Sequence, residues 1–477
     1  VAISRVRELK CPSLEVMFKP RSIAVIGASE KPGTVGRAVI ENLLNSFKGD
    51  IYPVNQKYDL VFGLKCYKSV RELPKTPDLA VVAVPARSTP ELARGLCEIG
   101  VRVSIVVSAG FKEVGAEGAK LESELVSAAR SCGMRILGPN CLGIYDAWSG
   151  VDTIFNPGDR QSKPGPGTIA LLSQSGALGA AILDWLAESE IGMSKFVSYG
   201  NAADIKEWEL VEYLVEDPQT KVIALYVEGV EDGRRFVGSL RKAIAAGKPV
   251  VVLKGGRTQS GVRAVTSHTG ALTTSSDVFI SAVKQAGAIV VENLSEFVGL
   301  LKVLEWSGPP RGRKVAVVTN GGGMGVLAAD EVESKGMALA PLSAESIEKL
   351  KKTLPPAASP NNPIDILGDA PPERYRAAME IALSDSEVDL VLVITLMQSP
   401  AFDPLKFIEL VRDVRSQSLK PIVLVAPGGG YTIKYAKIIE RELRVPCFKS
   451  PEEAVRVLKL AGEWYEKYAG GTYSKLD

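Results

Sequence analysis

His268, in the stretch VTSHTGALTT, is the one histidine among 477 residues. Imidazole titrates nearest neutrality of all side chains and serves as base, metal ligand or phosphoryl acceptor, although a solitary histidine is also often an ordinary surface or cap residue. Its company separates these readings. LYVEG supplies a carboxylate at Glu228, and LLSQSGALG supplies a glycine-bearing helix start at Ser175, Gly176 and Ala177. A carboxylate that accepts from one ring nitrogen fixes the tautomer and leaves the other nitrogen free as a nucleophile. Unpaired N–H groups at a helix N-terminus hold an anion, and phosphate completes the set. Lys254, Arg257 and Arg263 stand nearby in the sequence as counter-charges.

Residues so far apart meet only if strands place them on one rim. Short β-branched runs alternate with amphipathic helix-length segments along the whole chain, the pattern of parallel sheets covered by helices. The candidate strands fall into three sets of five: SIAVIG, DIYPVN, LAVVAV, VSIVVS and MRILGP; TIALLS, FVSYG, VIALYVE, PVVVLKGG and AIVVE; VAVVTN, MALAP, DLVLVITL, PIVLVAP and PCFKS. Each set opens on a strand, a small-residue loop and a helix. The loop markers Gly27, Ser173 and Asn320 are spaced by 146 and 147 residues. The reading is α/β, a Rossmann-like domain over residues 1–150 followed by two flavodoxin-like doubly wound domains over 151–308 and 309–477. NPGDRQSKPGPG (156–167) and SGPPRGRK (307–314) read as linkers from their proline and glycine density. The polar insertion 354–375 is either surface irregularity or a lid. TNGGGMG in the third set serves either anion binding or tight helix packing. In a 2-1-3-4-5 strand order the loops carrying Ser175, Glu228 and His268 share the carboxyl-end rim where open sheets bind ligands. The stretch 255–276 reads as a polar, mobile loop.

Composition bounds the rest. Hydrophobic residues make up 46% and charged residues 23%, and 57 Lys and Arg against 55 Asp and Glu leave a net charge of +2. With no basic block, nucleic acid is not an expected partner. Cys11, Cys66, Cys97, Cys132, Cys141 and Cys447 show no C-x-x-C spacing, and one histidine completes no Cys/His zinc set. No metal site is expected, and the cysteines read as reduced thiols of a cytoplasmic enzyme. The first residues hold no continuous apolar core of a leader, and no stretch approaches the ~18 to 20 apolar residues that span a bilayer. A P-loop is absent, and LLSQSGALG lacks the glycine of a nucleophile elbow.

The loop IAVIGASEKPGTVG is dinucleotide-like but has Ser29 at the second glycine position, with later glycines at Gly33 and Gly36. NAD enzymes end the second strand on an acid for the ribose hydroxyls. Here YPVNQK puts Asn55 and Lys57 there, which suits a nucleotide with an extra ribose phosphate, such as CoA; Lys57 is otherwise a solvated turn residue.

IAVIGASEKPGTVG, IYPVNQKYDLVFGLKCYKSV, VVAVPA, VVSAGFKEVG, RILGPNCLGI, LLSQSGALG, SYGN, LYVEG, GGRTQSG, SHTGAL and TNGGGMGVLAAD together resemble the ADP-forming acyl-CoA synthetases, in particular the α subunits of the archaeal acetate enzymes and their succinyl-CoA synthetase relatives. The resemblance covers nearly the whole chain. It implies that CoA lies on Gly27, Ala28, Ser29, Gly33, Val35 and Gly36, with Pro53, Asn55 and Lys57 on the nucleotide side. Val84, Pro85, Ser108, Ala109, Gly110 and Phe111 would line the pantetheine, with Asn140 near the thiol. It implies that His268 is phosphorylated and oriented by Glu228, and that Ser175, Gly176, Ala177 and Gly270 bind phosphate. The implied reaction interconverts acyl-CoA, phosphate and ADP with acid, CoA and ATP through an acyl phosphate. ADP/ATP and Mg2+ would sit on an ATP-grasp β subunit in an α2β2 heterotetramer. Lys206, Trp208 and Thr273 depart from the family pattern.

Two rival readings make different demands on these residues. A non-catalytic CoA-binding regulatory subunit would need neither His268 nor Glu228, and an NAD-dependent oxidoreductase would carry an acid where Asn55 stands. The acid itself, acetate, a branched-chain or aryl acetate, or succinate, is left open by these residues.

Overall fold

In the computed structural model, residues 13–269 and 275–469 are described, without the side chains of 266–269. They divide into two compact units, one running to Glu188 and resuming over Gly192–Val290, the other formed by Ser189–Ile191 and the chain from Val291 onward.

The first unit holds two sheets. In the first, Asp50–Val54, Ser22–Ile26, Leu79–Val82, Val103–Val106 and Arg135–Leu137 lie side by side, all parallel, in sequence order 2-1-3-4-5. Ser22–Ile26, Leu79–Val82 and Val103–Val106 are buried along their whole length. A parallel strand covered on both faces requires such unbroken apolar runs, which is why these segments are legible. The second sheet runs Ile289–Val291, Val250–Lys254, Val222–Val227, Pro166–Ser173, Met193–Ser198 in the same order. A sixth strand, Gly143–Asp146, adds antiparallel to Met193–Ser198, so a segment read with the first domain contributes to the second sheet. Register sets the ligand rim: Ser173 lies level with Ser198 on one side and Tyr226 on the other.

The stretch read as the linker 156–167 is partly structural instead. Pro166 and Gly167 begin a strand, and the side-chain amide of Asn42 donates to the carbonyls of Ile154 at 2.6 Å and Asn156 at 3.0 Å. Its prolines and glycines shape a path over the protein rather than a free tether. The stretch 255–276 is likewise corrected, because it contains the helix Gln259–Thr269. Val265, 7% exposed, gives that helix a buried face.

The cysteine reading is corrected as well. Cys97 and Cys132 form a disulfide across 35 residues. Helices Thr89–Glu98 and Ala116–Arg130 pack together and bring the two Cα atoms to 5.7 Å, within the reach of a disulfide. Cys66, Cys141 and Cys447 are free and buried.

In the second unit the sheet runs Ala338–Leu339, Lys314–Thr319, Leu390–Ile394, Ile422–Val425, Cys447–Phe448, parallel and again 2-1-3-4-5. The insertion 354–375 is not a lid. Ile364–Asp365 pairs with Lys314–Thr319, and Ile366, Ala370 and Tyr375 are fully buried. No helix among the described residues is long and apolar enough to cross a membrane.

Candidate active site

The first glycine loop is built for close approach. Gly27 has φ +95°, and a Cβ there would lie 2.3 Å from the Ala83 carbonyl oxygen; one at Gly36 would lie 1.9 Å from that of Gly27. Only glycine lets the helix Val35–Ser46 start directly against the strand. Ser29 Oγ accepts from the Lys31 N–H at 3.0 Å. Asn55 donates from Nδ2 to the Ala28 carbonyl at 2.8 Å and accepts the Lys57 N–H on Oδ1 at 2.9 Å. Its amide therefore ties the two loops together. Between them lies a cleft of about 420 Å³ lined by Gly27, Asn55, Lys57, Lys68, Ser69 and Arg71, among others. Lys68 pairs with Asp59 at 2.6 Å and Arg71 with Glu98 at 2.7 Å. Lys57 is exposed and has no carboxylate partner among the described residues. Pro53 is buried within its strand, opposite Val25. Ala28, Ser29, Gly33 and Gly36 shape the turn and line neither this cleft nor the chamber next to it.

That chamber has a volume of about 810 Å³. Val35, Val84, Pro85, Ser108, Ala109 and Asn140 form one part of its wall, while Gln174, Ser175, Gly176 and Ala177 form another. Among the described residues its lining includes no lysine or arginine. Ser108 Oγ donates to the Val84 carbonyl at 2.5 Å, joining two of these loops. Ser175 Oγ accepts from the Leu178 N–H at 3.3 Å and so caps the helix Gly176–Glu188, whose first residues face the chamber. Cys141 also lines it. Burial pushes that thiol up to about 12, and it contacts the Val106 carbonyl at 3.4 Å.

Several wall residues were not singled out from the sequence. Leu142, Phe155 and Asn156 come from segments with no chemical signature. Asn201 has one, a polar residue following a glycine at a carboxyl-terminal strand end. It is 4% exposed and sits in a loop bent by Gly200 at φ +51° and Ala202 at φ +49°. Asn201 Nδ2 donates to Glu113 Oε2 at 2.7 Å and to Glu122 Oε2 at 2.8 Å, and its Oδ1 accepts from Asn140 Nδ2 at 3.2 Å. Gly110, expected along the pantetheine, donates its N–H to Glu113 Oε1 at 2.6 Å, beside that of Phe111 at 3.0 Å. Burial opposes ionisation of Glu113, but the Asn201 amide and the two backbone N–H groups outweigh it and hold the carboxyl below its ordinary range. Burial dominates at Glu122 and raises it.

On the second sheet's rim, Glu228 follows directly on the strand Val222–Val227 and is 3% exposed. The Tyr226 hydroxyl donates to Glu228 Oε1 at 3.2 Å. Gln174 Oε1 accepts both the Glu228 N–H at 2.7 Å and the Gly229 N–H at 3.0 Å, linking the helix start to the carboxylate loop. Lys254 Nζ donates to the backbone carbonyls of Glu228, at 2.7 Å, and of Gly255. These bonds anchor the loop; burial lowers the pKa of Lys254, and the Glu228 charge partly offsets that. Arg263 Nη2 donates to Ser260 Oγ at 2.9 Å. The His268 backbone lies in the helix Gln259–Thr269; its side chain, Gly270 and Thr273 lie outside the described residues. Of the departures from the family pattern, Lys206 pairs with Glu231 at 2.6 Å, and Trp208 lies under the Arg235 guanidinium at 4.9 Å.

Comparison with known proteins places these domains in a family. Residues 21–147 match the CoA binding domain, 166–304 the succinyl-CoA ligase like flavodoxin domain, and 315–468 the ligase-CoA domain. The α subunit of acetate–CoA ligase (ADP-forming) I from Pyrococcus furiosus is 39% identical over 95% of this chain and 98% of its own length. Acetate–CoA ligase (ADP-forming) I of Archaeoglobus fulgidus is 41% identical over 94% of this chain and 64% of its own. Among solved structures, the dinucleotide forming acetyl-coenzyme A synthetase 1 of Ca. Korarchaeum cryptofilum, in complex with phosphate and ADP, superposes with a TM-score of 0.89 at 35% identity, over 98% of this chain and 99% of that one. This chain belongs to the ADP-forming acetate–CoA ligase family.

Proposed function

We propose that this chain is the catalytic α subunit of an ADP-forming acetate–CoA ligase, which interconverts acetyl-CoA or a similar acyl-CoA, phosphate and ADP with the acid, CoA and ATP. One observation carries the reading. A single chamber joins the wall expected to hold pantetheine, Val84, Pro85 and Ser108, to the helix start expected to hold phosphate, Ser175 to Ala177. A phosphate there stands where it can attack a thioester arriving along the other wall, and holding two reactants in place replaces a bimolecular encounter. The adjoining cleft takes the nucleotide part of CoA, with Lys57 directed to the ribose phosphate.

In the first step a phosphate oxygen forms a bond to the thioester carbonyl carbon as the C–S bond breaks, and the proton of hydrogenphosphate ends on the CoA sulfur. In the second, an imidazole nitrogen of His268 bonds to phosphorus while the P–O bond to the acyl group breaks. The acid leaves as carboxylate, and Glu228 steadies the charged imidazole. ADP, ATP and Mg2+ belong to an ATP-grasp β subunit in an α2β2 assembly, to which the phosphohistidine delivers its phosphoryl group.

The test uses the full chain alone. Incubated with acetyl-CoA and radioactive phosphate, it takes up an acid-labile, base-stable label and makes no ATP; adding the β subunit and ADP discharges the label into ATP. His268→Asn abolishes labelling and leaves CoA affinity intact. Normal ATP formation by that variant with its partner sinks the phosphohistidine route.

A further inference from the structure

Gln174 sits between Ser173, at the end of its strand, and Ser175, and its own N–H donates to the Tyr226 carbonyl at 3.1 Å. Backbone N–H groups only donate, so the side-chain atom facing those of Glu228 and Gly229, at 2.7 and 3.0 Å, is the amide oxygen. That fixes the amide's orientation. Nε2 is left with two hydrogens and no acceptor among the described residues, and Gln174 lines the chamber beside Ser175, Gly176 and Ala177. Among the described residues the lining offers no cationic side chain, so the donors they bring to an anion here are neutral ones, this oriented amide among them.

We infer that Gln174 is a catalytic residue whose Nε2 donates a hydrogen bond to a phosphoryl oxygen of phosphate and of the acyl phosphate formed from it. This rests on the reaction proposed above and adds a residue to it. The oxygens concerned keep their negative charge through both steps. A donor fixed before the reaction holds them without reorganising. The same side chain spans from the phosphoryl site to the backbone of Glu228, so one amide sets the spacing between the transferred group and the carboxylate that serves His268.

Labelling of the full chain, measured against phosphate concentration at saturating acetyl-CoA, tests this with two variants. Gln174→Met keeps length and removes the donor; the KM for phosphate should rise about tenfold or more, as for loss of a hydrogen bond to a charged group, with CoA affinity by calorimetry within about twofold of wild type. Gln174→Glu still accepts the Glu228 and Gly229 N–H groups but turns an oxygen toward phosphate, so it should label more slowly than the methionine variant. A merely structural role predicts the opposite order, because a carboxylate satisfies those two N–H groups as well as an amide does. Near-wild-type labelling by Gln174→Glu, or an unchanged phosphate KM in Gln174→Met, overturns the assignment. Absence of label on the wild-type chain overturns the proposed reaction and this inference with it, whereas normal wild-type labelling beside normal Gln174→Glu labelling overturns this inference alone.

Discussion

Asn201 and Glu113, 88 residues apart in sequence, meet through a 2.7 Å bond from Nδ2 to Oε2 that joins a loop of the second sheet to one of the first. The same amide serves Glu122 at 2.8 Å, so two carboxylates share one neutral donor group. Asn201→Asp replaces that group with a third carboxylate. Folding stability in urea should fall by about 3 kcal/mol or more, the scale of an uncompensated buried charge. A loss below about 1 kcal/mol would show that the network tolerates the charge by taking up a proton.

Lys57 faces the smaller cleft without a carboxylate partner among the described residues. If it holds the ribose phosphate of CoA, Lys57→Ala should weaken CoA binding about five- to tenfold, as expected for one partly exposed charge-assisted contact. Dephospho-CoA should bind both proteins alike. Equal losses for the two ligands in calorimetric titration would return Lys57 to the role of a turn residue.

The Cys97–Cys132 bond closes a 35-residue loop, for which chain entropy gives a stabilisation of about 4 kcal/mol. Of six cysteines, four should react with a thiol reagent in denaturant without reductant, and all six after reduction. Reduction should also lower the unfolding midpoint. Six reactive thiols at the outset would mean that the two helices pack as described with the sulfurs unjoined.

Burial raises the carboxyl of Glu207 from 4.5 to about 7. Between those values the folded chain retains a proton that the unfolded chain has lost. This group's contribution therefore falls as pH rises through the window, by about 3 kcal/mol in all. Glu207→Gln should be more stable than wild type at pH 8, with the advantage fading toward pH 4.5. Parallel stability curves for the two proteins would show that Glu207 ionises normally.

The strands were legible because a parallel strand covered on both sides must be apolar throughout, and Ile23 to Ile26 or Val250 to Leu253 read the same in any context. The placing of Glu228 and Ser175 on one rim was legible because both follow strand ends, where open sheets bind ligands, whereas Asn140 was singled out by the family resemblance alone. Gly143–Asp146 was not, since its two strand formers, Ile144 and Tyr145, lie between a glycine and an aspartate in a run too short to stand out, and it pairs only because Met193–Ser198 lies beside it. The Cys97–Cys132 pairing depends on how two helices pack, which spacing does not encode. Asn55 has the type and position of a ligand-binding residue, and only its bonds to Ala28 and Lys57 reveal that its amide is engaged within the protein.

Cys141 lines the chamber with its thiol pushed up to about 12. At neutral pH only about one such thiol in 10⁵ is ionised, and the thiolate is the reactive form. On the proposed reaction CoA brings its own sulfur to this chamber, and a second reactive sulfur beside it would open two side reactions: capture of the acyl group as a protein thioester, and a mixed disulfide with free CoA. By keeping Cys141 protonated, the buried wall confines sulfur chemistry to the substrate.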